Sequence, residues 1–206
     1  RKTIILAPEK IQIGWKKTIF NPKNGENQCT GDEYNYEEDK YEKNKKGMAD
    51  KRINEFYEMY GYGAFANMVK NYLNDNLKHI SKNDLLLRKK EEIHLIQEKF
   101  SNRALIIDEV HKIRSEEEKI TRDTILYIEK VILHSKNLKL ILLTANPMFN
   151  QPTEIVWILN MLLMNDNRDK IKQSIKFEKD KDDKTILTKE SKKLLEEKGK
   201  GYISYL

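Results

Sequence analysis

The chain has 206 residues, a formal net charge of +6 and a sequence pI of about 9.1. This length suffices for one domain with a substantial core. The single cysteine, Cys29, excludes an internal disulfide and favours a reducing, intracellular setting. No apolar run approaches the ~18 residues that a membrane-spanning helix needs, so we expect no membrane partner. The basic balance permits nucleic-acid binding but does not establish it.

The first elements in chain order predict the start of a β–α unit. Residues 2–7 are mostly aliphatic and predict a strand, and Pro8 can open the turn into a helix. Apolar residues then recur every four positions in residues 9–20 and predict one helical stripe. They are Ile11, Trp15 and Ile19.

The middle of the chain alternates between polar and helical patterns. Residues 21–46 are rich in Asn, Lys, Glu and Tyr, with almost no aliphatic side chains, so we expect a surface insertion without stable order. The aromatic run at 53–60 favours a short strand over a helix. After a glycine-rich turn, helices are expected near 64–77 and at 84–100.

A strand that ends in two carboxylates is the most informative stretch. Residues 104–107 are four consecutive apolar residues, typical of a strand buried on both faces, and Asp108 and Glu109 follow at once. Charges at the mouth of a buried strand cost desolvation energy unless a cation or a site compensates. The alternative interpretation is that Asp108 merely caps the following helix.

A second predicted strand strengthens the functional interpretation. After a long helix that ends near His134, residues 138–144 form another buried apolar run that leads into Ala145, Asn146 and Pro147. Ligands of open parallel sheets bind outside the carboxyl ends of the strands, where both endings would lie.

The remainder of the chain completes an α/β pattern. We expect a helix that begins near Pro152, then polar loop with one short helix in 165–184, and a final helix at 188–198 stopped by Gly199. Three or four strands that alternate with helices predict an α/β fold: a RecA-like or doubly wound parallel sheet with helices on both faces.

These motifs resemble the first RecA-like domain of superfamily 2 helicases and translocases. Asp108-Glu109-Val110-His111 matches the DExH box, and Leu143-Thr144-Ala145-Asn146-Pro147 matches the motif Ser/Thr-Ala-Thr/Ser-Pro. Ala7-Pro8, followed by a helix that bears Trp15, resembles motif Ia. The segments 143–155 and 201–206 are most similar to helicase-like NTPases of large DNA viruses, such as the poxvirus early transcription factor small subunit and nucleoside triphosphate phosphohydrolase I.

The resemblance implies catalytic roles for the box. Asp108 would hold Mg²⁺, and Glu109 would orient or deprotonate the water that attacks the γ-phosphate of ATP. His111 would link the nucleotide site to neighbouring motifs. Without the preceding carboxylates, His111 would be interpreted as an ordinary half-buried polar residue.

The resemblance also implies roles outside the box. The loop of Thr144, Ala145 and Asn146 would couple nucleotide state to the grip on nucleic acid, although Asn146 replaces the usual hydroxyl residue. Pro8 and Lys10 would contact a nucleic-acid phosphate; Lys10 could equally be a solvated helix residue.

The sequence contains no Gly-x-x-x-x-Gly-Lys-Ser/Thr phosphate loop. In the resembled family this loop precedes motif Ia, so we expect 1–206 to be a partial RecA-like domain, with the insertion at 21–46 and the phosphate-loop strand missing, inactive alone. The intact protein is expected to be a viral nucleic-acid-dependent ATPase, acting on DNA rather than RNA in transcription or genome handling. Viral RNA polymerase or virion components are expected as partners, in the virion or host cytoplasm. The alternative is a degenerate RecA-like module that binds nucleic acid or a partner without hydrolysis.

Overall fold

The computed structural model describes residues 1–21, 23, 30, 45–114, 122–147, 154–172, 174–179, 181 and 185–204. Within these residues the strands are β1 (Thr3–Leu6), β2 (Tyr57–Tyr60), β3 (Ala104–Ile107), β4 (Lys139–Leu142), β5 (Phe177–Lys179) and β6 (Thr185–Leu187). The helices are α1 (Glu9–Ile19), α2 (Lys45–Phe56), α3 (Tyr62–Asn76), α4 (Leu85–Phe100), α5 (Arg122–His134), α6 (Glu154–Asn165) and α7 (Lys189–Gly199). A 3₁₀ helix covers Val110–Arg114.

The first four strands form a parallel sheet in the order β2-β1-β3-β4. Parallel neighbours need a crossover connection, and helices lie between successive strands along the chain. The chain therefore has the predicted α/β, RecA-like fold. β5 and β6 pair separately as an antiparallel hairpin.

Helices cover both faces of this sheet because side chains of a strand alternate between its two sides. In β1, Ile4 and Leu6 belong to the larger core, which contains buried residues of α3, α4 and α5. Ile5 points to the opposite side, where it joins a second cluster with residues of α1 and α2. The stripe predicted for α1 packs in that second cluster, with Ile19 buried and Trp15 partly buried.

The prediction that residues 138–144 form a buried strand is wrong for one of the two faces of the strand. β4 is the last strand in the described order, and Ile141 and Leu143 are 45% and 37% exposed. Leu140 and Leu142 do pack against the larger core, on the opposite side of the strand. β4 is therefore covered on one face, and Lys139, Ile141 and Leu143 lie on the other.

Two further boundaries differ from the sequence predictions. The run at 53–60 is not all strand: α2 continues to Phe56 and buries Ile53, so the strand covers 57–60. In 165–184, the described residues after α6 contain β5 and no further helix. The predicted insertion at 21–46 lies almost wholly outside the described residues. None of the described helices is both long and apolar enough to cross a bilayer.

Candidate functional site

The two predicted strand ends lie side by side. β3 pairs with β4 from Ala104–Lys139 to Ile107–Leu142. Backbone pairing then continues beyond the strands, because the Val110 N–H donates to the Leu143 carbonyl at 3.0 Å. The carboxylate turn after β3 and the loop after β4 are thus held together at the carboxyl edge of the sheet, where ligands of such folds bind.

The turn at Asp108 and Glu109 has an unusual backbone. Glu109 has φ of 50°, the left-handed region, which costs a residue with a side chain about 1–2 kcal/mol. The Tyr62 hydroxyl donates to the Asp108 carbonyl at 2.6 Å and lies 3.1 Å from the Glu109 carbonyl. Because Tyr62 is 2% exposed, this contact supports the turn from inside the core.

Both carboxylate oxygens of Asp108 have protein donors. Oδ1 accepts from the Glu109 N–H at 2.9 Å, and Oδ2 accepts from the indole Nε1–H of Trp15 at 2.7 Å. Trp15 belongs to α1, 93 positions away in sequence. An N-cap side chain accepts from the backbone N–H two or three residues further along the chain. Asp108 Oδ1 accepts from the next residue instead, so this contact orients the Asp108 side chain and does not cap a helix.

A histidine joins the box to the loop after β4. His111 is 6% exposed, and its Nδ1 lies 2.8 Å from Thr144 Oγ1. The Asn146 N–H donates to the same oxygen at 3.1 Å, while Ala145 and Asn146 themselves are exposed. His111 Nδ1 also lies 3.3 Å from Glu109 Oε2. One imidazole therefore contacts both the carboxylate turn and the loop.

The carboxylate oxygens of this turn fit a Mg²⁺ site in which water and substrate phosphates supply the other ligands. Glu109 Oε2 is buried and has no hydrogen-bond partner among the described residues. Those residues also contain no group of three or more His, Cys, Asp or Glu able to hold a metal ion by themselves. Mg²⁺ is usually bound through one or two carboxylates, with water and substrate phosphates as the other ligands, and the Asp108 carboxylate meets that requirement.

Pro8 and Lys10 lie at the beginning of α1, on the same edge of the sheet. The edge is shared because the Asp108 N–H donates to the Leu6 carbonyl at 2.8 Å. Pro8 caps α1 without a side-chain hydrogen bond, and Lys10 is exposed. Exposure is compatible with either a phosphate contact or a solvated lysine, so both interpretations of Lys10 stay open.

Sequence reasoning missed two residues of this site. Trp15 was predicted as part of an apolar stripe and of the motif Ia resemblance, without a contact to the carboxylates, and Tyr62 as part of a glycine-rich turn. Each directs a polar atom at the carboxylate turn from a helix distant in sequence. The signal that could have suggested both is their ability to donate one hydrogen bond from an otherwise apolar side chain.

An apolar groove of about 550 Å³ runs along the exposed side of β4. Its walls come from β4, α6 and the segment after α7, and Thr144 and Ala145 lie on its lining. The groove thus reaches the loop that contacts His111.

The fold and site together define a RecA-like α/β module with an acidic pair at the carboxyl edge of its sheet. A curated protein of Acanthamoeba polyphaga mimivirus, whose name assigns it as an ATP-dependent RNA helicase, is 30% identical over 122 residues. The match covers 57% of this chain and 16% of that relative, so the chain corresponds to a small part of the relative's length. No family model matches the chain. No solved structure matches it either. The chain is therefore distantly similar, over just more than half its length, to this mimivirus protein.

Proposed function

We propose that this chain supplies the metal-binding and water-activating part of the nucleotide site in a nucleic-acid-dependent ATPase of superfamily 2. The observation that carries the proposal is the contact between His111 and Thr144, which joins the Asp108-Glu109 turn to the loop after the neighbouring strand. The similarity to a protein named as an ATP-dependent RNA helicase supports the same class.

In this proposal Asp108 holds Mg²⁺ through its carboxylate. When bound, Mg²⁺ would neutralise charge on the phosphates of ATP. The hydrogen bonds from Glu109 N–H and Trp15 leave lone pairs on both Asp108 oxygens, because a carboxylate offers about four acceptor sites. The side chain is thus oriented by the protein and still able to bind a cation.

Glu109 orients the attacking water and accepts its proton. Its Oε2 suits this role, because the atom has no hydrogen-bond partner among the described residues and can still accept one. His111 lies beside that oxygen and beside Thr144. A change in the hydrogen bonding of Glu109 can therefore reach the Thr144 loop through one side chain.

The Thr144-Ala145-Asn146 loop, with Pro8 and Lys10, is proposed to contact nucleic acid in a way that depends on the nucleotide bound at the site. The intact protein is proposed to be a viral translocase that acts in transcription or genome handling, in the virion or host cytoplasm, with viral RNA polymerase or virion components as partners. We propose DNA as the substrate; the name of the mimivirus relative specifies RNA, so both polymers belong in the test.

The decisive substitution is Glu109→Gln in the full-length protein. An amide cannot accept the proton of water, so ATP turnover should fall by about 100-fold or more while ATP binding is retained. Hydrolysis is measured with and without DNA or RNA, and binding with a fluorescent ATP analogue. Glu98→Gln is the control, since Glu98 is an exposed carboxylate of α4. Retained turnover in Glu109→Gln would reject the assignment of Glu109.

The second candidate is a degenerate module that binds nucleic acid or a protein without hydrolysis. Asn146, in place of the usual hydroxyl residue of the motif, favours it. The same assay separates the two functions: nucleic-acid binding by wild-type protein that never hydrolyses ATP would establish the degenerate module.

A further inference from the structure

Trp15 connects helix α1 to the carboxylate proposed to hold the metal. Its ring packs, partly buried, against the cluster of Ile5, Ile19 and Ile53 between the sheet and α1 and α2. Its one polar atom, Nε1, lies 2.7 Å from Asp108 Oδ2. The ring is therefore fixed by packing while its donor is directed at the site.

The chemistry of the indole suits this position. A tryptophan N–H only donates and carries no charge, so it orients a carboxylate without competing with a cation for the negative charge. A lysine or arginine at the same place would neutralise Asp108. A phenylalanine would keep an apolar aromatic ring, smaller than the indole, and leave Oδ2 without its protein donor.

The second tryptophan shows the same atomic contact elsewhere in the molecule. Trp157 of α6 donates from Nε1 to Oε1 of Glu129, on α5, at 2.9 Å. The sequence contains two tryptophans in all. One indole–carboxylate contact thus lies at the candidate site and the other joins two helices, which provides a matched internal control.

We propose that Trp15 is a positioning residue of the metal site: its indole holds the Asp108 carboxylate in the orientation that binds a divalent cation. This inference rests on the proposed function, because it takes Asp108 as the metal ligand. It adds a residue of α1, the helix that begins with Pro8 and Lys10, to the support of the nucleotide site.

The first experiment detects the contact in the unaltered 206-residue chain. A ¹⁵N-labelled sample has two indole N–H signals, assigned with Trp157→Phe. Addition of Mg²⁺ should move the Trp15 signal and leave the Trp157 signal in place. If neither signal moves, or both move equally, the proposal is overturned. This readout does not depend on the folding of any Trp15 variant.

The second experiment measures Mn²⁺ affinity from the electron paramagnetic resonance signal of the free ion. Partners that orient a metal ligand typically contribute 10-fold or more to affinity, so Trp15→Phe should weaken Mn²⁺ binding roughly 10-fold. Trp157→Phe should bind Mn²⁺ like wild type, because its indole contacts Glu129. Circular dichroism confirms that the variants are folded.

Asp108→Asn separates the failure of this inference from the failure of the proposed function. If Asp108→Asn weakens Mn²⁺ binding but Trp15→Phe does not, Asp108 remains the metal ligand and the positioning role of Trp15 is wrong. If Asp108→Asn binds Mn²⁺ as tightly as wild type, the metal assignment fails and the role of Trp15 fails with it.

Discussion

Removal of the Tyr62 hydroxyl should destabilise the carboxylate turn while it leaves the core packed. Tyr62 is 2% exposed, and its ring belongs to the larger core. Its hydroxyl donates to the Asp108 carbonyl at 2.6 Å, and Glu109 is the residue with positive φ. Tyr62→Phe keeps the ring and deletes this donor alone.

The expected magnitude follows from what the hydroxyl leaves behind. The Glu109 carbonyl retains a donor, the Lys112 N–H at 2.8 Å, so the loss falls mainly on the Asp108 carbonyl. An acceptor that loses its partner costs up to about 1–3 kcal/mol when it is buried, and this contact is partly buried. For a chain of this length each kcal/mol lowers Tm by about 2–4 °C, so Tm should fall by roughly 2–12 °C.

Thermal unfolding followed by circular dichroism measures this difference. The matched control is Tyr72→Phe in the same helix, α3, because the Tyr72 hydroxyl makes no hydrogen bond to a described residue and its ring, which contacts Lys99, is retained. Equal Tm values for Tyr62→Phe and Tyr72→Phe would refute the claim that the hydroxyl supports the turn. Amide exchange at Val110 should also accelerate in Tyr62→Phe and not in Tyr72→Phe.

Two further predictions concern stability away from the site. The Arg103 side chain is 7% exposed, pairs with Glu58 at 2.8 Å and donates to the Lys2 carbonyl. Arg103→Met should therefore lower the free energy of unfolding in urea by roughly 1–3 kcal/mol, less than for a fully buried pair because Glu58 is 31% exposed. Adding Glu58→Gln should recover part of that loss, and no recovery would show that the pair is not the cause. Burial lowers the pKa of His134 below 6.5, so its contribution to stability is complete above pH 6.5 and declines as the pH falls toward the folded-state pKa. His134→Gln should reduce the change in the urea midpoint between about pH 7.5 and about pH 5. If the midpoint of the variant depends on pH as strongly as that of wild type, His134 is not the source of the dependence.

The sequence allowed prediction of the sheet because its strands are short apolar runs between helical periods. Asp108 and Thr144 were placed at neighbouring strand ends on that basis, and the pairing of β3 with β4 confirms it. The burial of β4 was mispredicted for a physical reason. Leu140 and Ile141 are equally apolar, but one packs in the core and the other is 45% exposed. The exposed face is marked by a single charged side chain, Lys139, and the aliphatic residues around it obscured that signal.

The contacts within the candidate site were predictable only where a local motif contained them. The box and the loop after β4 predicted a link through His111, and its Nδ1 does lie 2.8 Å from Thr144 Oγ1. Trp15 and Tyr62 could not be placed by pattern, since each satisfies an ordinary apolar position in its helix. Their polar contacts depend on how α1 and α3 pack against the sheet, and the spacing of apolar residues within one helix does not determine that packing.

The backbone strain at Glu109 is explained by the number of separate elements that converge on its turn. Trp15 reaches Asp108 from α1 on one face of the sheet, and Tyr62 reaches the same residue from α3 on the other. The Leu143 carbonyl, just after the neighbouring strand β4, accepts from the N–H of Val110, the residue that follows Glu109. A left-handed non-glycine residue persists only where its surroundings over-determine it. An aspartate that merely began a helix would need none of these three supports, so they favour the proposed role of the carboxylate pair over simple capping.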